Sequence, residues 1–206
     1  MSAVGSDAGA GPEGYAKGRA RREGIVAAAA EVYAEAGYHG ASVREIAKRA
    51  GISHAGLLYY FPGREALLAA VLERRDERDA ARFGPGDASP TALVERLLDL
   101  AGHNARNPGI VELYVRLSAE AFAPDHPAHG YFTRHYADVR RFAHSALLEL
   151  ERQGLLRRGI DAWAAAVSLV ALMDGLQVQW LTSPAEVDMV GSLRFFVGQL
   201  MVAPPE

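Results

Sequence analysis

Apolar residues in this chain recur at intervals of three and four, and nowhere after Pro62 does a period-two alternation of apolar and polar positions set in. That periodicity predicts helices throughout. Over 19–36, the residues Ile25, Val26, Ala29, Val32, Tyr33 and Ala36 share one face, and Gly37 is expected to stop the helix. Two short segments follow, separated at Gly51. Breaks at Gly84-Pro85-Gly86, Asn107-Pro108-Gly109, Pro124 to Pro127, Gly154, Arg158-Gly159 and Ser183-Pro184 divide the remainder. They leave helices expected at about 64–82, 91–104, 109–122, 128–153, 161–181 and 185–202. The expected fold is all-α, with about nine helices and no internal repeat of 20 to 50 residues.

The stretch from Ser42 to Leu68, SVREIAKRAGISHAGLLYYFPGREALL, has the spacing of a helix-turn-helix. Ser42 and Glu45 form an S-x-x-E capping box, so a helix begins near Val43. Val43, Ile46, Ala47 and Ala50 make its buried stripe, with Arg44, Glu45, Lys48 and Arg49 outside. Gly51 supplies the backbone that ends it, and Ile52 tucks beneath the turn. Ser53 can cap a second helix from His54 to about Tyr60, anchored by Leu57, Leu58 and Phe61. His54, Ala55 and Gly56 occupy its leading turn, the part that reaches base edges when such a helix enters the major groove. The helix over 19–36 packs behind the pair and completes a three-helix unit.

Charge strengthens this reading. Between Lys17 and Arg64, eight Lys and Arg face four Glu, a net of +4 in a chain whose total is −3, leaving −7 elsewhere. A basic segment on an acidic protein is a local phosphate-facing footprint.

These residues resemble the N-terminal domain of TetR-family transcriptional regulators, over roughly 19 to 75. The matching pattern is S/T-x-x-x-I-A-x-x-A-G-[VI]-S, then L-[YL]-x-x-F, then [KR]-E-x-L-L. Three positions depart from it: the family often has Gly at Ala55, Tyr at Leu58 and His at Tyr60. Leu58 has no hydroxyl for a phosphate, so Tyr59 is the candidate replacement. The base-edge candidates are Arg44, Ser53, His54 and, by close backbone approach, Gly56; the phosphate candidates are Ser42, Lys48, Tyr59, Tyr60 and Arg64. For Tyr60, packing inside the three-helix unit is the alternative.

The resemblance implies a dimerisation and effector-binding domain over 63–206, after a DNA-binding domain over 17–62 and a flexible tail over 1–16. Two caps stand out downstream: Ser89 before Pro90, and Ser183-Pro184-Ala185-Glu186, which is expected to start the last helix. That helix places Val187, Val190, Leu193, Val197 and Leu200 on one face, with Gly191 and Gly198 as small positions for close helix approach. The helix before it is apolar over more of its circumference than one core stripe requires, including Trp163, Val170 and Met173. In the family these last two helices pair with their copies in a second subunit, so Trp163, Val170, Asp174, Gln177, Val190, Leu193 and Val197 are the expected interface. Asp174, Gln177 and Gln179 remain open between interface and pocket. A short recognition helix contacts few bases, and a homodimer on an inverted-repeat operator in double-stranded DNA, with half-sites ~34–36 Å or more apart, restores affinity.

Aromatic residues concentrated in the middle and late helices suit either a small-molecule effector pocket or ordinary core packing. The pocket candidates are His103, Tyr114, Leu117, Phe122, Tyr136 and Trp180. His126, His129 and His135 lack the thiolate or carboxylate partners of a tetrahedral metal site, and no cofactor is expected. No nucleophile elbow, acid–base set or phosphate loop supports an enzyme. The chain has no cysteine, which fits a reducing compartment and excludes disulfides. The Gly- and Ala-rich start lacks the apolar run of a signal peptide, and the apolar stretch from Ala162 to Met173 is shorter than the ~18 residues of a membrane span. A cytoplasmic, ligand-responsive repressor is the expectation. A transcriptional activator of the same fold and a helical protein-interaction module are the alternatives.

Overall fold

The computed structural model describes residues 12–83 and 90–202. Among them the chain forms nine helices: α1 (Pro12–Gly40), α2 (Val43–Arg49), α3 (His54–Tyr60), α4 (Arg64–Phe83), α5 (Pro90–Ala105), α6 (Pro108–Glu120), α7 (His129–Arg152), α8 (Ala162–Thr182) and α9 (Met189–Leu200). An isolated antiparallel bridge between Leu156 and Met201 ties the turn after α7 to the end of α9.

The short helices keep their expected bounds because their ends are fixed locally. Ser42 Oγ accepts from the Glu45 amide at 3.1 Å, and Ser53 Oγ accepts from the Gly56 amide at 3.0 Å. Only the serine half of the Ser42 box follows the expectation: the Glu45 carboxylate lies 3.8 Å from Arg49. At the other end of α2, Gly51 has φ +65°, its amide meets the Lys48 carbonyl, and the Ile52 amide meets that of Ala47. These two bonds form a Schellman closure, and the left-handed position accounts for the glycine.

Three expected ends move. Helix α1 begins at Pro12, inside the stretch expected as a tail, and runs through Gly37 to Gly40, since one glycine costs a helix only about 1 kcal/mol. The last helix begins at Met189, capped by Asp188 Oδ1 on the Gly191 amide at 2.9 Å; residues 184–186 form a single turn on Ser183. Here two cap signals overlap, and the later one wins. Gly191 serves that cap, because a Cβ there would lie 2.4 Å from Asp188 Oδ2. Ser89 lies outside the described residues; α5 does begin at Pro90.

Two buried clusters hold the described residues together. The first joins Ile25, Val26, Ala29 and Tyr33 of α1 to Ile46 and Leu57, and continues without a break into Leu67, Leu68 and Leu72 of α4 and Leu113 and Leu117 of α6. It therefore crosses from the three-helix unit into the downstream helices. The second lies among α5, the second half of α7, α8 and α9. The tightest approach between the two parts is Gly109 at the start of α6, where a Cβ would stand 2.8 Å from the Tyr33 carbonyl oxygen.

Helix α8 is 21 residues long, with a mean hydropathy of 1.4 over its most apolar 18-residue window, so on length and composition it passes for a membrane span. The shorter run expected from the sequence understated it. In the fold, its Ala165, Ala166, Leu169 and Leu176 side packs into the second cluster.

Candidate nucleic-acid interface and ligand cavity

Helix α2 packs on α1 and α3 packs on α2, leaving the outer surface of α3 free. Arg44, Lys48, Ser53, His54 and Ala55 are exposed on this side, and Arg44 and Lys48 enter no ion pair among the described residues. The Ser42 and Ser53 hydroxyl oxygens accept the cap bonds, so each keeps a proton to donate outward. Tyr59 is 85% exposed, whereas Tyr60 is half-buried against the first cluster with its ring edge-on to Tyr59 at 5.2 Å. The Tyr60 ring thus packs against the three-helix unit, and Tyr59 is the more accessible of the two hydroxyl-bearing rings.

Other expectations change for similar reasons. Leu58, expected as an anchor, is 41% exposed; the anchors are Leu57 and Phe61. Gly56 also serves the cap, since a Cβ would lie 3.2 Å from Ser53 Oγ. Arg64 is half-buried, close to the buried Tyr33 phenol. Other cations of the basic segment are structural in ways that spacing could not show. Arg49 pairs with Glu35 at 2.7 Å, Arg21 donates to the Gly51 carbonyl at 3.4 Å, and Arg22 lies over the Phe61 ring at 4.9 Å.

A cavity of about 160 Å³ lies among α4 to α8, walled by Leu97, Leu100, Val139, Phe142, Leu169 and Met173. Its polar lining is Arg75, Arg96, Asn104, Tyr114, His135, Asp174 and Gln177. The Tyr114 hydroxyl donates to Asp174 Oδ1 at 3.3 Å, and the Tyr136 phenol faces the same carboxyl. Burial pushes both this carboxyl and the Tyr114 phenol up. Arg75 stacks over Tyr114 at 5.4 Å, donates to the buried Asn104 Oδ1 at 2.8 Å and pairs with Asp79 at 3.3 Å. Beside it, His135 Nδ1 and the Tyr131 hydroxyl both meet Asp76 Oδ2, at 2.7 and 2.8 Å. This network fastens α4 to α5, α6 and α7.

Of the expected pocket residues, Tyr114 lines this cavity and Tyr136 backs it. His103 lies instead in a separate cleft of about 350 Å³ among α1, α4, α5 and the start of α6, with Arg74, Arg78 and Asp79. Trp180 borders a hollow beside the α8–α9 turn, Leu117 is wholly buried in the first cluster, and Phe122 is 78% exposed at the end of α6. Helical spacing gave each of them an apolar face but not the neighbour that face meets. The histidines have separate partners: His126 Nδ1 accepts from the Ala128 amide, and His129 Nδ1 lies 2.9 Å from the Ala121 carbonyl.

Residues 25–71 match the bacterial regulatory proteins of the tetR family, and residues 90–195 match the C-terminal domain of BetI-type transcriptional repressors. The chain belongs to the TetR family. RutR of Escherichia coli K12 is 44% identical over 55 residues, which span 27% of this chain and 26% of RutR. PksA of Bacillus subtilis is 28% identical over 82% of both chains. Among solved structures, a TetR transcription regulator from Haloarcula marismortui shares the fold, with a TM-score of 0.76 at 21% identity over 89% of this chain and all of its own. A transcriptional regulator from Saccharomonospora viridis in complex with choline aligns over 90% of this chain and 100% of its own, with a TM-score of 0.71 at 25% identity. This chain is a DNA-binding transcription regulator with a ligand-binding C-terminal domain, from a family of regulators and not of enzymes.

In this TetR-family chain, α8 and α9 turn inward most of what was expected at a subunit interface. Leu193 and Val197 are buried within the chain, and Val190 packs against the same second cluster. Val170, Asp174 and Gln177 line the cavity. Only Trp163 of that set is on the surface, 47% exposed with its ring edge against His144. The outer apolar face consists of Trp163, Val167 and Val178 on α8 with Phe195 on α9. Gly198, with open space around it, lies on the exposed side of α9.

Proposed function

We propose that this regulator is an effector-responsive repressor that works in the cytoplasm, binding an inverted-repeat operator as a homodimer. One observation carries the effector-responsive part: helix α6 holds Tyr114 in the cavity wall and, five residues earlier, rests Gly109 on the Tyr33 and Ala34 backbone of α1. A ligand that shifts α6 therefore acts on the helix behind the recognition helix, in parallel with α4. To change operator affinity, it must prefer one placement of the DNA-binding heads over the other. The likeness of residues 90–195 to BetI-type repressors supports repression, and the choline-bound neighbour supports a small organic effector.

On DNA, Arg44, His54 and Ser53 are assigned to base edges, and Ser42, Lys48 and Tyr59 to phosphates. The test is selection of bound duplexes from a random pool, followed by titration of the recovered duplex. A two-fold symmetric consensus bound by two chains is the expected result; an asymmetric or absent consensus overturns the reading. Arg44→Ala should cost ~1–3 kcal/mol and relax preference at one base pair per half-site.

A further inference from the structure

The cavity contains two hydrogen-bond acceptors that the protein leaves short of donors. Gln177 is 3% exposed, and its Oε1 has no hydrogen-bond partner. Asp174, three residues earlier on the same face of α8, receives only phenols, from Tyr114 and Tyr136. The other ionisable side chain near Asp174 is His135, whose Nδ1 is already bound to Asp76. Arg75 is committed to Asp79 and Asn104. A half-buried carboxylate with no ion pair among the described residues and a buried amide oxygen without a donor are both costly, and both are relieved by a ligand that supplies positive charge and hydrogen. Apart from Arg96, the rest of the wall is aliphatic or aromatic, including Leu97, Leu100, Phe142 and Met173. At about 160 Å³, the cavity is smaller than the ~300–1,000 Å³ of sites for drug-sized ligands.

We propose that the effector is a small protonated amine on an apolar body, with its N–H groups donating to Asp174 and Gln177 and its body among the leucines and Phe142. This assignment rests on the effector-responsive reading above and deepens it. A quaternary ammonium supplies charge but no N–H for Gln177. An alcohol supplies hydrogen but leaves the carboxylate uncompensated. A carboxylate ligand meets Asp174 with like charge, though it can pair with Arg96, which also lines the cavity.

These chemistries are separated by four probes of similar shape, benzylamine, benzyltrimethylammonium, benzyl alcohol and benzoate, titrated calorimetrically into the full chain. Benzylamine should bind at least tenfold more tightly than the other three. Gln177→Leu should erase its advantage over the quaternary probe, and Asp174→Asn its advantage over the alcohol. Gln177→Glu, which adds a second carboxylate, should tighten benzylamine and serves where the leucine variant fails to fold. Tightest binding by benzoate, or no preference among the four, overturns the amine assignment. So does failure of benzylamine to bind a folded chain. Operator affinity is measured separately in the absence of probe, so loss of the repressor reading would appear there and leave the probe ranking intact.

Discussion

Tyr59 and Tyr60 are adjacent in sequence yet have opposite surroundings, and burial separates their roles more sharply than residue type. Tyr59→Phe should weaken operator binding by ~1.5–3 kcal/mol, the range for a hydrogen bond to a charged group, and do so equally across operator variants. Tyr60→Phe should leave affinity unchanged in the same filter-binding series, and the reverse pattern would move the phosphate contact to Tyr60. In the cavity, Asp174 permits a different test, because burial raises its carboxyl above the ordinary 3.8. The folded chain then holds that proton more tightly than the unfolded chain. The associated stability is fully present below pH 3.8 and is lost as pH rises through the folded value. Asparagine carries no such loss. Without ligand, the melting temperature of Asp174→Asn relative to the parent should therefore rise from the acid end toward neutral pH. A difference that is flat or falls with pH would show that the buried charge is compensated.

At the scale of elements, Gly109 is where α6 presses on α1. In Gly109→Ala, the new Cβ would stand 2.8 Å from the Tyr33 oxygen and 3.0 Å from that of Ala34, backbone atoms that cannot turn aside. Denaturant unfolding should show a loss of about 1–3 kcal/mol, the usual cost of overpacking. Gly24→Ala, in open space on α1, should instead gain ~0.5–1 kcal/mol. The contrast marks what the sequence could disclose. Helices α2 and α3 were legible to the residue because Ser42, Ser53 and Gly51 act on amides and carbonyls within a few positions. The end of α1 and the start of α9 were not, since a single glycine is a weak stop and Ser183 competes with Asp188. On the side assigned to DNA, Arg44 and Tyr59 are exposed, as their places on the helices led one to expect. Spacing could not show that Arg64 sits half-buried beside Tyr33, thirty-one residues away in sequence. The cavity was the least legible part, because periodicity assigns a residue to a face of its helix and says nothing of what that face meets.

For the whole molecule, the remaining question is how two recognition helices come to act together. Trp163, Val167 and Val178 fall on one stripe of α8, and Phe195, 69% exposed, adds to it from α9. Exposed large apolar side chains of this kind suit an association site, and in a two-fold dimer each such residue acts twice, once from each chain. Val167→Glu and Phe195→Glu each place a charge, in duplicate, on that face. Either should give a monomer in sedimentation velocity at micromolar concentration while circular dichroism retains the helical content of the parent. Linking two half-site contacts through one interface raises operator affinity by ~10²–10⁴-fold, so the monomer should bind a full operator no more tightly than a half-site. The two losses must appear together. A variant that remains dimeric removes this face from the interface, and one that becomes monomeric yet keeps full operator affinity removes the dimer from the recognition mechanism.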